Sequence, residues 1–243
     1  MTVLITREYE DCIELSNAIH TLGVDTFVEP MLNVVIGDPE PLDDYNRYDH
    51  LIFTSRNAVK YIMRCNYQTL LEKKCFVIGD STENLLRTLG FKNIYNADSD
   101  IDQLIVTLKA NSNDKNAIYF RGELISADIK KILTDLTACC DEKISYKVET
   151  PKSLSNELIK KISENNVKAI IFFSKNTAET FLSLCDQYSI AKSLEKITIL
   201  TVSAKLKNTL SSFGEYMTIS FDGNKNRLLE LIESCYHQEN IKE

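Results

Sequence analysis

The 243-residue sequence has three histidines, His20, His50 and His237, and no C-x-x-C pair among its seven cysteines. None of the histidines is spaced with cysteines or carboxylates as on a metal-binding helix or finger, so no metal site is expected. Nor can a Ser-His-Asp set be placed, since His20 and His237 lie on or beside helical stretches away from the loops. The cysteine number is odd and the only close pair, Cys139 and Cys140, is adjacent, so the thiols read as reduced, most of them in cores. There is no basic excess: 28 basic against 35 acidic residues give a net charge of −7. That argues against a general attraction to nucleic acid or to an anionic membrane. No apolar run approaches a membrane span, and the first 22 residues carry Arg7, Glu8, Glu10, Asp11 and Glu14. Without an apolar signal core, a cytoplasmic protein is expected. Also missing are G-x-G-x-x-G after the first strand, G-x-x-x-x-G-K-[ST] and G-x-S-x-G, which removes support for dinucleotide binding, P-loop chemistry and a nucleophile elbow. Chemistry without metal, nucleotide or triad is left, or binding alone.

Hydrophobic residues make up 44% and charged residues 26%, the balance of a globular protein with a packed core. "TVLITREYEDCIELSNAIHTLG" predicts a strand over 3–6 and a helix with Leu15, Ala18, Ile19 and Leu22 on one face, closed by Gly23. "DTFVEPMLNVVI" reads as extended, and "GDPEPLDDYNRYD" gathers two of the four prolines with five acidic residues, making it the best linker candidate. From Leu51 onward strands and helices alternate, except for a lone extended stretch, "EKISYKVETP". Helices are predicted over 154–165, 177–188, 204–213 and 228–235, and strands over 168–173, 197–202 and 217–220. Alternation of this kind implies an α/β fold with parallel sheets covered on both faces.

One unit occurs twice. "LIFTSRNAVKYI" (51–62) matches "IIFFSKNTAETF" (170–181) at an offset of 119, and "IGDSTENLLRTLGF" matches "VSAKLKNTLSSFGE" at an offset of 124. The second copy lacks a first strand and helix of its own, which the N-terminal strand and helix can supply. One domain is then discontinuous, residues 1–36 plus 152–243, with 37–151 inserted and a hinge near 31–40 and 145–152.

In an open parallel sheet, ligands sit beyond the carboxyl ends of the strands, where loops lead into helix N-termini. Those loops read "TSRNA", "GDST", "FRGE", "SKNTA" and "SAK". Thr54, Ser55, Arg56, Asn57, Ser81, Thr82, Arg121, Gly122, Ser174, Lys175, Asn176, Ser203 and Lys205 are therefore candidate binding residues. Hydroxyls, amides, glycine and a few cations beside free N–H groups suit carboxylates or phosphates. Each is also an ordinary cap or solvated charge; clustering at the same end of both predicted sheets favours function. Asp80 adds a negative charge among them.

The ordered set resembles the uroporphyrinogen-III synthases. "LITREYEDCIELSNAIHTLG" is similar to their opening, with a T-R after the first strand that brings Arg7 to the site. "LIFTSRNAV" resembles their F-T-S turn, "VIGDSTENLLRTLGF" their I-G-x-x-T turn, "YFRGE" their R-G turn, and "FFSKNTAETF" a second copy of the first. The resemblance implies two flavodoxin-like parallel-sheet domains joined by a two-stranded hinge, with the ligand between them. It also implies a cofactor-free monomer that closes the linear tetrapyrrole hydroxymethylbilane, which bears eight carboxylates, into uroporphyrinogen III. Ring D is inverted and water is lost in this step of heme biosynthesis. Tyr146, in "SYKVETP", stands where the family places its favoured proton donor on the hinge; a phenol keeps its proton at neutral pH. Where the family's second I-G-x-T-T turn carries hydroxyls, this chain has Ser203, Lys205 and Leu206, so Lys205 is expected to replace a hydroxyl contact with a charge-assisted bond. A different class of function fits the residues as well: a two-lobed, non-catalytic binding protein for a small polycarboxylate or phosphate.

Overall fold

The structure is a computed structural model. It describes residues 2–39, 45–97, 101–111, 116–124, 129–134, 139–210 and 216–240. The chain divides into two compact units, Met1–Asn33 with Glu149–Glu243 (unit 1) and Val34–Val148 (unit 2).

Unit 1 contains β1 (Thr2–Ile5), α1 (Tyr9–His20) and β2 (Asp25–Val28) from the start of the chain. The later segment adds α6 (Asn156–Ser163), β9 (Val167–Phe172), α7 (Lys175–Gln187), β10 (Thr198–Thr201), α8 (Ala204–Leu210), β11 (Thr218–Ser220) and α9 (Lys225–Asn240). Its sheet runs β11-β10-β9-β1-β2, and every pair is parallel. Unit 2 holds β3 (Asn33–Ile36), β4 (His50–Phe53), α2 (Arg56–Met63), β5 (Lys74–Val77), α3 (Asp80–Thr88), β6 (Asn93–Asn96), α4 (Ile101–Asn111), β7 (Asn116–Gly122), α5 (Ile129–Thr134) and β8 (Cys139–Glu149). The sheet order is β3-β8-β7-β4-β5-β6, parallel from β8 through β6.

The inner strands are apolar runs because both of their faces are covered. In β9, Ile170 and Phe172 join one core cluster of unit 1, and Ala169 and Ile171 the other. In β4, Leu51 and Phe53 face one core of unit 2 and Ile52 faces the second. The helices start where hydroxyls cap them: Ser55 accepts from Asn57 N–H, Ser155 from Leu158 N–H and Ser174 from Thr177 N–H. The last helix begins a turn before Leu228, since the Asn224 side chain accepts from Arg227 N–H at 3.1 Å.

The doubled unit of the sequence is visible as topology. Reading the sheets from one end, β11-β10-β9-β1-β2 matches β6-β5-β4-β7-β8. Ile5 lies opposite Ile171 and Tyr119 opposite Ile52, while Ile171 and Ile52 are themselves related by the offset of 119. Strands β1 and β7 are thus equivalent residue for residue, and Arg7 corresponds to Arg121.

One expectation is corrected. The described end of the linker candidate is packed, not extended between domains: Tyr45 and Tyr48 are buried. Tyr45 bonds Tyr61 hydroxyl to hydroxyl at 2.9 Å and meets Phe120 edge-on, and Tyr48 donates to Asp141. Aromatic rings hidden among the charges gave the segment core to bury. Residues 40–44, which hold Pro41 and three of the segment's five acidic residues, lie outside the described residues.

Candidate functional site

At the carboxyl edge of the unit 2 sheet stand, in spatial order, Tyr146 on β8, Arg121 and Gly122 at the end of β7, the Thr54–Asn57 turn after β4, and the Gly79–Thr82 turn after β5. Strand β8 carries an irregularity there: Arg121 pairs with Ile144, but Gly122 pairs with Tyr146. Ser145 is the additional residue of this bulge. It is buried, its hydroxyl donates to the Arg121 carbonyl at 2.9 Å, and its own carbonyl accepts from Gly37 N–H. A bulge re-aims the side chain that follows it. Here it lays the Tyr146 ring over Gly122: a Cβ on Gly122 would stand 2.9 Å from Cζ and 3.1 Å from Oη of Tyr146. The R-G turn therefore needs glycine because a phenol occupies the space of a side chain.

Two other predicted ligands of this edge face inward. Arg121 forms an ion pair with Glu142 at 3.1 Å and donates to the carbonyls of Gly122 and Glu123, and its side chain is only 15% exposed. It secures the β7–β8 junction and is not a hand held out to an anion. Thr82 is buried beneath its own turn at 2% exposure, whereas Ser81 is exposed. The Thr54 hydroxyl is bonded to the Tyr119 hydroxyl at 2.9 Å. Burial, followed by smaller charge effects, pushes the Tyr119 phenol above its ordinary pKa despite the opposing Thr54 bond. Ser55 caps α2, and Arg56 and Asn57 open it.

Asp80 has a structural role. Gly79, at φ 85°, turns the chain into α3, and its N–H donates to Asn96 Oδ1 at 3.1 Å. Asn96 Nδ2 donates in turn to Asp80 at 3.0 Å and to Glu83 at 2.8 Å. Glu83 also binds Arg87, which is the chief reason its carboxyl is held below the ordinary range. Both carboxylates sit in the first turn of α3, where the helix dipole favours them.

The matching edge of unit 1 runs through Arg7, Ser174–Asn176 and Ser203–Lys205. Ser174 caps α7 and Ser203 accepts from Leu206 N–H at 3.2 Å. Lys175 and Asn176 are exposed, with Lys175 3.4 Å from Glu179. Lys205 is exposed and Leu206 is buried in the core. Arg7 differs from its counterpart Arg121. Its side chain is 42% exposed, it meets Asp11 at 2.7 Å, and its guanidinium lies 4.4 Å over the Phe173 ring. Beside it is a cavity of about 130 Å³ lined by Arg7, Asp11, Phe173, Phe221 and Lys225, among others. Phe173 and Phe221 went unnoticed in the sequence, although Phe173 stands where the first copy has Thr54; that exchange was the available signal. A second concavity of unit 1, about 510 Å³, is lined by Tyr9, Pro30, Leu32 and Pro151 with Glu149 and Thr150.

All seven cysteines are free thiols. Among the described residues, no three His, Cys, Asp or Glu side chains group so as to hold a metal ion, and no helix is long and apolar enough to cross a membrane.

Comparison with known proteins assigns a family. The profile of the family described as uroporphyrinogen-III synthase HemD matches residues 13–215. The chain is similar to the uroporphyrinogen-III synthase of Chlorobaculum parvum, 21% identical over 240 residues, with 91% of this chain and 94% of that one covered. Its structure is similar to that of uroporphyrinogen-III synthetase from Helicobacter pylori at 18% identity and a TM-score of 0.63, over 96% of this chain and 99% of that one. A mutant uroporphyrinogen III synthase from Thermus thermophilus gives a TM-score of 0.53 at 12% identity, over 98% of this chain and 99% of that one. At these identities the structural likeness speaks for the fold.

Proposed function

Because the chain belongs to the uroporphyrinogen-III synthase family, the cyclising lyases of tetrapyrrole biosynthesis, we propose that it closes hydroxymethylbilane into uroporphyrinogen III. The terminal hydroxyl takes a proton and leaves as water, giving an azafulvene. Ring D attacks this carbon at its substituted position, and the resulting spiro intermediate fragments and recloses with ring D inverted. Since the open chain also closes unaided to the type I isomer, the protein's main task is orientation, which alone is worth several powers of ten in rate.

Tyr146 carries this reading. Its phenol is held over Gly122 at the ligand edge of a parallel sheet by a bulge whose extra residue is buried and doubly hydrogen-bonded. From there it donates the proton to the departing hydroxyl. The N-terminal turns of α2, α3, α7 and α8, with Ser55, Ser81, Ser174, Asn176 and Ser203, offer hydroxyls, amides and N–H groups to the substrate's carboxylates, and Lys175 and Lys205 add charge. Arg7 belongs to this set. Arg121, Gly122 and Thr82 support it from within.

The chain passes between its units at Asn33/Val34 and Val148/Glu149, at the ends of β3 and β8, which are neighbours in one sheet. We assign the hinge to these two segments, near 31–40 and 145–152. We further assign the protein to the cytoplasm as a monomer that uses no cofactor and no nucleic-acid partner, in keeping with its net charge of −7.

The test is to mix purified protein with freshly made hydroxymethylbilane, oxidise the products and separate the uroporphyrin isomers. Isomer III is expected to predominate. Isomer I at the uncatalysed rate, from protein shown to be folded, would leave a binding protein for polycarboxylates as the function.

A further inference from the structure

Resting on the tetrapyrrole reading above, we infer that the cavity of unit 1 lined by Phe173 and Phe221 receives a single pyrrole ring of the substrate, with Arg7 and Lys225 taking its acidic arms.

Size selects one ring. The cavity measures about 130 Å³, and an apolar cavity of about 150 Å³ takes up a benzene ring. A five-membered ring is therefore accommodated and a linked pair is not. The walls suit an electron-rich ring. Phe173 and Phe221 meet edge-to-face, with centroids 5.4 Å apart, and the Arg7 guanidinium lies over the Phe173 ring as a flat cationic group at the cavity wall.

Charge places the arms. Arg7 pairs with Asp11, and Lys225 with Glu14 at 3.0 Å. The Lys225 and Glu14 side chains are 53% and 70% exposed, so that pair is open to solvent, whereas Arg7 is 42% exposed and its partner Asp11 only 16%. An exposed ion pair such as Lys225–Glu14 contributes little and exchanges readily. One substrate carboxylate replaces Glu14 on Lys225, and the other meets the exposed part of the Arg7 guanidinium while Asp11 keeps its bond. Lys225 also opens α9, after a turn whose Asp222 and Gly223 both have positive φ, so the helix dipole adds to the attraction for an anion.

The equivalent place in unit 2 lacks these parts. By the two offsets Phe173 corresponds to Thr54 and Phe221 to Ala97, and by strand pairing Arg7 corresponds to Arg121. Thr54 is bonded to Tyr119, and Arg121 is turned to Glu142 and two carbonyls. The two copies have divided the work: one arginine braces a strand junction and the other faces a ring-sized space.

The probe is porphobilinogen, a monopyrrole with one acetate and one propionate arm, titrated calorimetrically into the full chain. Lys225→Gln is expected to raise Kd about tenfold, as loss of a charge-assisted bond does. Phe173→Leu is expected to raise it severalfold. Glu14→Gln, which removes the competing carboxylate, is expected to tighten binding. KM for hydroxymethylbilane should move in the same directions with kcat within about twofold, because this site binds ground and transition states alike. Isomer III formed by all three folded variants with wild-type KM, or porphobilinogen binding unaffected by them, overturns the assignment while leaving the synthase activity in place. If the wild type makes only isomer I and porphobilinogen still binds in a Lys225- and Phe173-dependent way, the synthase reading falls and the pyrrole site stands.

Discussion

Gly122→Ala isolates what the bulge at Ser145 achieves. Gly122 is not among the glycines with positive φ, so alanine brings no backbone strain, and the whole effect is steric. The new methyl would lie 2.9 Å from Cζ, 3.0 Å from Cε2 and 3.1 Å from Oη of Tyr146, whereas carbon atoms in contact prefer about 3.5–4.0 Å. The ring must retreat by roughly 0.5–1 Å, the difference between these separations. Because it is tethered through two rotatable bonds and only half buried, the cost in stability is expected at the low end of overpacking, about 1 kcal/mol. The cost in rate is larger, since a displacement of about 1 Å in a positioning group lowers turnover on the order of 100-fold. The assay is the initial rate of isomer III formation, set beside the thermal midpoint. In Gly122→Ala/Tyr146→Ala the midpoint should recover relative to Tyr146→Ala alone while activity stays low, a non-additivity expected of touching residues. Wild-type rate and midpoint in Gly122→Ala would refute the packing of the phenol on this glycine.

Further outcomes follow from the same structure. Tyr146→Phe keeps the ring and removes the proton, so kcat for isomer III should fall by about 10²- to 10⁴-fold with KM little changed. Asn96→Ala unties Gly79, Asp80 and Glu83 together and should lower stability by about 1–2 kcal/mol, measured by urea unfolding. The Glu83 carboxyl is held below its ordinary range chiefly by Arg87 and secondarily by Asn96, so its stabilisation is present above the ordinary carboxylate pKa and is lost as pH falls through the lowered value. Melts across the acid range should show a shallower acid loss in Arg87→Ala. Titration with a thiol reagent at mildly alkaline pH should modify exposed Cys139 first. Burial raises the Cys12, Cys140 and Cys185 thiols to about 12 and that of Cys75 further, so these should react only on unfolding.

The alternation of apolar runs with helical spacing was enough to read parallel sheets, because strands buried on both faces must be apolar throughout. The offset of 119 was readable because Ser55 and Ser174 do the same capping in both copies. What the loops do with their polar groups was not readable. Arg7 and Arg121 follow equivalent strands, yet one faces a cavity and the other an internal carboxylate, and the deciding partner, Glu142, is a strand away in space. Thr82 looks like Ser81 in sequence, but helical rotation by one residue sends it into the core. The bulge at Ser145 is invisible to any pattern of period two, and it alone decides which face of β8 Tyr146 occupies. The rings of Tyr45 and Tyr48 were masked by the charges around them.

The division of unit 1 across the chain sets a timetable for its assembly. Thr6, just after β1, donates to Ile171 on β9, 165 residues later. At ordinary synthesis rates that interval lasts on the order of ten to thirty seconds. All of Val34–Val148 is made within it, and a contiguous unit folds as a body without waiting for its ends. A nascent chain halted just past Val148 would carry unit 2 complete, and of the unit 1 sheet only β1 and β2.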